Sequence, residues 1–457
     1  MGLGNMPGTN EREKRQQRLE LFSRALELDT LSNVRGMLNN LHPAEVAHLL
    51  ESLPHHERSL LWDLLDAEIS GEVLTHVNDD LRASLIGEME ADELVAAAEG
   101  METDDLADIL LDLPSAVIDE VLQAMDEQNR HRLQSVMSYP EDTAGGLMNV
   151  DALTVRPDVT LDVVLRYLRL RGEMPETTDA LFVVDRDDRY LGQLPLTVLL
   201  TQLPVKMVRD VMLSEGESIL VTTSDTEVAG LFEHRDLVSA PVLDDEHRLL
   251  GRITIDDVVD VIRDEAEHSM MSMAGLDEES DMFAPATVSA RQRGVWLGLN
   301  LATALLASWV IGLFDATIEQ VVALAVLMPI VASMGGIAGS QTLTLVIRGI
   351  ALGQIGRANA RKLLIKEITI GVLNGALWAV VVAGVAILWF GNYQIGWIIG
   401  AAIIINLLVA AIAGACIPLF LKRMGADPAL GGGVMLTTVT DVVGFFVFLG
   451  LASLVLL

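Results

Sequence analysis

Asp441 is the residue whose type and position most demand a chemical account. It lies in the run TTVTDVVG, one helical turn after Thr437 and on the same face, with Thr438 and Thr440 close by. That run belongs to an apolar stretch, about 430–457, long enough to cross a bilayer. A carboxylate at such depth costs at least about 2.5 kcal/mol and by default marks a functional site. Its structural alternative is pairing with a buried base, but no Lys or Arg lies inside any apolar stretch. Carboxylate and hydroxyl oxygens suit a hard cation. The softer metals lose support, because the nine histidines all precede position 269 without zinc-like spacing and the single cysteine, Cys416, sits in an apolar run. Asn300, Asn374 and Asn406 read equally well as interhelical hydrogen bonds. No nucleophile-and-base constellation or phosphate-binding glycine loop is present, which argues against an enzyme.

The elements that must hold Asp441 are five apolar stretches, about 294–314, 321–347, 368–390, 395–421 and 430–457. Each is long enough to span a hydrocarbon core of roughly 30 Å. Asp441 is the only acid well inside them. Pro329 and Pro418 predict kinks, and the glycine-rich MGGIAGSQ (334–341) predicts an unwound turn offering carbonyl oxygens to a cation. Gly371 and Gly375, four apart, predict close helix packing. The basic residues of this half (Arg291, Arg293, Arg348, Arg357, Arg361, Lys362, Lys366, Lys422, Arg423) fall on alternate connections. By the positive-inside rule they place the N-terminus in the cytoplasm and the C-terminus outside. The polar N-terminus has no apolar signal core.

The rest of the chain is strongly acidic. The net charge is -33, yet only Asp315, Glu319, Glu367, Asp427 and Asp441 of the 64 acids lie after position 290. Such a surface argues against nucleic acid as a partner and favours cations. Residues 15–138 show helical periodicity, as in Leu19-Leu21-Phe22-Leu26 and Val46-Leu49-Leu50-Leu53. The phrases HPAEVAHLLESLP (42–54) and METDDLADILLDLP (101–114) resemble one another and predict stacked helical hairpins. From Tyr139 the texture becomes α/β. ALFVVDRDDRYLGQLPLTVLL (180–200) and SAPVLDDEHRLLGRITIDDVVDVI (239–262) repeat one phrase: strand, acidic turn, strand, helix. Amphipathic helices precede them near 161–170 and 227–236. This tandem repeat resembles a pair of CBS domains.

YPEDTAGGLM (139–148), GGIAGSQTLTLVIRG (335–349) and DPALGGGVMLTTVTDVVGFFVFLG (427–450) carry a wider resemblance, to the MgtE magnesium channels, over essentially the whole chain. The resemblance implies a multidomain membrane protein with an all-α superhelical N-domain (1–138), tandem α/β CBS domains (139–203 and 204–263), a connecting helix (264–290) and a five-helix transmembrane bundle (291–457). It implies a homodimer in the bacterial inner membrane that passes Mg2+ and closes when cytosolic Mg2+ binds between the soluble domains. Carried over by motif, Asp441 matches the pore carboxylate and Asp427 the acid at the cytoplasmic start of the last helix. Glu72, Asp104 and Asp108 match regulatory ligands of the N-domain. Asp236, Asp256, Asp257, Asp260 and Glu265 match others in the second CBS domain and connecting helix. This chain departs from the pattern at Ile337, where many members carry Asn, and at Gly433, Thr226, His268 and Ser269. Thr197 and Val198 replace the Arg-Asp pair with which some relatives hold ATP, which argues against nucleotide binding here. A channel or carrier for Co2+, Mn2+ or Ni2+, and a tethered sensor that does not conduct, remain alternatives, and a sensor has no need of Asp441.

Overall fold

A computed structural model describes residues 31–38, 40–89, 91–98, 101, 103–111, 118, 121–123, 125, 127–172, 174–175, 177–214, 216–276, 281–356 and 358–456. The Leu19–Leu26 stripe and the Leu113-Pro114 stop lie outside them. Two compact units result.

The first unit begins with short helices: α1 (Leu31–Leu38), α2 (Pro43–Glu51), α3 (His55–Trp62), α4 (Ala67–His76), α5 (Asp79–Ile86), α6 (Ala91–Ala98), α7 (Thr103–Leu111) and α8 (Glu127–Val136). Local caps set their starts. His42 and Glu45 form a capping box on α2 with Pro43 in its first turn, and Asn78 caps α5 through Leu81 N–H. One device recurs along the array. Arg58 donates to Leu50 O and Leu53 O, Arg82 to Leu74 O and Val77 O, and Arg130 to Leu122 O and Met125 O. The Arg58 and Arg82 guanidinium groups thus close the last carbonyls at the ends of α2 and α4, groups that would otherwise be orphaned, and Arg130 binds two carbonyls of the segment just before its own helix. Apolar stripes from all these helices, Leu50, Leu61, Leu81 and Leu110 among them, meet in one core.

Two pseudo-repeats follow. In the first, β1 (Thr154–Val155), α9 (Leu161–Arg171), β2 (Ala180–Val184), β3 (Tyr190–Pro195) and α10 (Leu196–Thr201) form a sheet of order β1-β2-β3. In the second, β4 (Ile219–Leu220), α11 (Asp225–Arg235), β5 (Ser239–Leu243), β6 (Leu249–Thr254) and α12 (Ile255–Ser272) do the same. Both sheets combine one parallel and one antiparallel pairing, with a bulge at Val183/Val184 and at Val242/Leu243. The acidic hairpin turns serve the backbone: Asp185 accepts from Asp187 N and Arg189 N, and Asp244 from Glu246 N and Arg248 N. The last helix of the second repeat, α12, continues without a break through the first part of the expected connecting segment 264–290.

The second unit holds α13 (Ala286–Gly312), the short α14 (Asp315–Gln320), α15 (Ala323–Ala351), α16 (Ala360–Phe390), α17 (Tyr393–Arg423) and α18 (Pro428–Leu456). All but α14 are long and apolar enough to cross a membrane. The most buried is α17, which packs on α15, α16 and α18, while α13 lies against α18. The expected unwinding at 334–341 does not occur, because α15 is helical throughout Ala323–Ala351. The glycines there serve packing instead. A Cβ on Gly335 would fall 2.3 Å from Asn406 Nδ2, and one on Gly339 would fall 2.8 Å from Leu436. Gly371 and Gly375 likewise let α16 approach α17, a Cβ on Gly371 falling 2.9 Å from that of Ala411. Asn406 makes the interhelical bond expected of it, donating to Val331 O at 2.8 Å, whereas Asn300 bonds to Trp296 O of its own helix.

Candidate functional site

In the membrane unit, α15 and α18 line an open cavity of about 830 Å³. Asp441 and Thr437 come from α18, and Ser333, Ser340, Gln341, Thr344 and Arg348 from α15. Two of the hydroxyl protons are already committed: Ser340 donates to Gly336 O and Thr437 to Gly433 O, each at 2.8 Å. Their lone pairs are therefore what these oxygens can turn to the cavity. A row of oxygen acceptors around one carboxylate is a cation's surface, and for a strongly hydrated ion it can bind through water. Ile337, more than half exposed in the same lining, occupies the place where an amide would have added an oxygen.

Two features of this unit escaped the sequence. The third span begins earlier than expected, so Glu367 is a second acid within a membrane helix. It is buried, 4% exposed, and accepts from Thr342 Oγ1 at 3.1 Å. The other is Arg348, which lines the same cavity as Asp441.

Asp427 sits at the start of α18, where its carboxylate accepts from Ala429 N (2.8 Å) and Leu430 N (3.1 Å). Acid at a helix N-terminus is favoured by the macrodipole, so this residue has a structural task whatever else it does. His268 Nε2, near the end of α12, lies 3.3 Å from its Oδ2. Met273 meets Thr344 Oγ1 and Trp296 meets Gly275. The 267–276 segment thus touches the inner ends of α18, α15 and α13.

In the first unit a smaller cavity of about 150 Å³ is lined by Asp105 of α7, Asp257, Asp260 and Asp264 of α12, and the Arg82 and Arg263 guanidinium groups. Residues 257, 260 and 264 share a helical face. Burial, then neighbouring Asp256, pushes the Asp257 carboxyl up to about 7, against the opposing bonds it accepts from Thr254. Asp260 is raised too, chiefly by burial. Burial lowers His76, countered by nearby Asp260.

Of the motif-matched acids, Asp257 and Asp260 are brought together here. Asp256 is adjacent and accepts from Thr177 Oγ1. Asp104 and Asp108 ride on α7 beside Asp105, their side chains outside the described residues. Glu72 is exposed on α4, Glu265 lies farther along α12, and neither lines the cavity. Asp236 ends α11 in a left-handed conformation (φ 50°), a helix-stop role that short acids tolerate. Asp105 and Asp264 match no motif; the 257–260–264 spacing points to Asp264, but nothing local reveals Asp105. Among the described residues no three acids, histidines or cysteines are already arranged to hold a metal. Carboxylate oxygens are the donors a hard divalent ion takes, but Asp260 and Asp264 are paired here with Arg263, at 3.0 and 3.2 Å.

Comparison with known proteins agrees with this architecture. Residues 328–451 match the model for MgtE, a divalent cation transporter. Residues 41–142 match the MgtE intracellular N domain, and 144–204 and 208–264 match the CBS domain. These features define a multi-pass membrane protein with a helical N-domain and a CBS pair in front of its spans. The Magnesium transporter MgtE of Thermus thermophilus is 30% identical over 437 residues, 94% of this chain and 97% of that protein. The Bacillus subtilis protein of the same name is 26% identical over 423 residues, 93% and 94% of the two chains. A crystal structure of the cytosolic domain of the Mg2+ channel MgtE in complex with ATP superposes with a TM-score of 0.50 at 30% identity, covering 53% of this chain and 99% of that one. The chain belongs to the MgtE family.

Proposed function

We propose that this protein carries Mg2+ passively into the cell through the cavity that holds Asp441, and that cytosolic Mg2+ acting on its soluble domains closes the path. The observation that carries the reading is the Asp441–Thr437–Ser340–Gln341 surface, one carboxylate among neutral oxygens on facing membrane helices. Mg2+ gives up water reluctantly, and such a surface can attract the hydrated ion without stripping it. Relatives named as magnesium transporters support the choice of ion. In this proposal the working form is a homodimer in the inner membrane, with soluble domains in the cytoplasm and the C-terminus outside, an orientation that the basic connections support.

The sensor in this proposal is the acid-rich first unit. Asp257 and Asp260 are its central ligands, with Asp104, Asp108, Glu72, Asp236, Asp256 and Glu265 as further ones; when empty, Asp256 and Asp105 repel Asp257, while Arg263 already pairs with Asp260. Mg2+ would neutralise the acids and favour the closed arrangement, the ion binding one of two states more tightly. Asp427 and the adjoining end of α12 transmit the change to the inner mouth. Nucleotide has no part in this proposal, since Thr197 and Val198 stand where some relatives have Arg and Asp. The protein is not proposed to be an enzyme.

Flux into proteoliposomes loaded with a Mg2+ indicator tests the reading, with Mn2+, Co2+ and Ca2+ run alongside. Asp441→Ala is expected to abolish Mg2+ influx while the protein still folds and assembles. Undiminished influx would overturn the pore assignment, and Mn2+ or Co2+ passing faster than Mg2+ would shift the cargo.

A further inference from the structure

Helices α15 and α18 run antiparallel, and their register can be read from two close approaches. Gly339 abuts Leu436, and Gly432 abuts Leu343. That register puts Asp441 level with Met334, and Arg348 level with Asp427. At about 1.5 Å per residue, Arg348 lies roughly 20 Å from Asp441 along the helix axis. An arginine side chain cannot reach that far, so the two do not pair although both line one cavity. The acid at the level of Arg348 is engaged elsewhere, Asp427 accepting from the N–H groups of Ala429 and Leu430 and facing His268. Arg348 is exposed, and no hydrogen bond or ion pair is seen for it among the described residues. It is the only charged residue besides Asp441 in the lining.

We propose that Arg348 is a rate- and specificity-determining residue, a positive charge at the inner mouth, without an ion-pair partner among the described residues, that a cation leaving Asp441 must pass. The inference rests on the reading of the Asp441 cavity as the ion path. Along the cavity lining two full charges of opposite sign then lie in series, an attractive one midway and a repulsive one towards the cytoplasmic end. The guanidinium stays charged at any physiological pH, so the barrier is permanent. Its height scales with the charge of the passing ion and with that of the side chain, and falls as salt screens it.

The experiment is Mg2+ influx into proteoliposomes for wild type, Arg348→Lys, Arg348→Gln and Arg348→Glu. Influx is expected to be similar for Arg and Lys and to rise about three- to tenfold per unit of positive charge removed at low ionic strength. The differences should largely vanish near 1 M ionic strength, where the screening length is about 3 Å. To separate charge from folding, Arg348→Cys is made in a Cys416→Ser background and labelled after reconstitution. A cationic and an anionic methanethiosulfonate reagent are compared, and the anionic adduct should conduct faster. Rates that do not order by charge, or adducts that conduct equally, overturn the inference. If Asp441→Ala also conducts normally, the ion-path reading fails instead, which separates the two outcomes.

Discussion

Removing one charge from the cytosolic cavity should stabilise the protein. Asp257 is held there with its carboxyl shifted from 3.8 to about 7, first by burial and next by Asp256. At about 1.4 kcal/mol per tenfold change in proton affinity this corresponds to roughly 4 kcal/mol, and sharing the repulsion with Asp256 makes about 2 kcal/mol the better expectation. The folded value exceeds the unfolded one, so folding takes up protons. The group's contribution is therefore most favourable below about pH 4 and is lost as the pH rises to about 7. Asp257→Asn keeps an oxygen to accept from Thr254 N and Oγ1 and removes only the charge. At about pH 8 in chelator, the variant's soluble part should resist urea better than wild type by about 2 kcal/mol, and the gap should close towards about pH 4. Trp62, 8% exposed in the N-domain core and the only tryptophan before the membrane helices, reports the unfolding by fluorescence. Added Mg2+ should stabilise wild type more than the variant, because a ligand bound only by the folded state adds stability by mass action. An Asn variant equal to or weaker than wild type at about pH 8, or a gap that does not change with pH, would refute this reasoning.

Other substitutions test the surrounding structure. Arg58, 2% exposed, donates to both carboxylate oxygens of Asp281 at 2.8 and 3.1 Å, so Asp281→Ala leaves a buried cation and should cost about 3–5 kcal/mol in N-domain unfolding. The carboxyl of Asp281, raised by burial but lowered more by Arg58 and Phe283 N–H, ends below its usual value. The stability it supplies is thus present at neutral pH and lost as pH falls through the folded value, a loss that acid titration should show in wild type and not in the Ala variant. In the membrane unit, Gly414→Val would set a Cβ 2.7 Å from Gly339 O and 2.9 Å from Thr342 Cβ, and should lower thermal stability in detergent by about 1–3 kcal/mol. Asn406→Leu removes the bond to Val331 O and crowds Gly335 and Gly444. A detergent melting curve should show a loss of at least about 0.6 kcal/mol, the average for such a bond in membranes.

Much of the molecule is legible in local pattern. The five spans follow from runs of apolar residues, because a bilayer reads length and hydropathy and little else. The two CBS copies follow from a repeated phrase, and their acidic turns from Asp side chains that bond to backbone two and four residues on. Asp441 stood out because a lone intramembrane acid is costly wherever the chain folds. Other features depended on which segments meet. Local composition suggested a broken helix at 334–341, but Asn406 and Leu436 from other helices fill the places that the glycines leave, and the helix runs through. Glu367 looked like the end of a basic loop until Thr342 met it in the interior. Asp105 joins Asp257 and Asp260 from more than a hundred residues away, and Arg348 shares a lining with Asp441 only because α15 and α18 run antiparallel. Periodicity and hydropathy are properties of one segment and can be read from it. Burial, charge repulsion and the shape of a path are set by pairs of segments, and those pairs exist only in the folded chain.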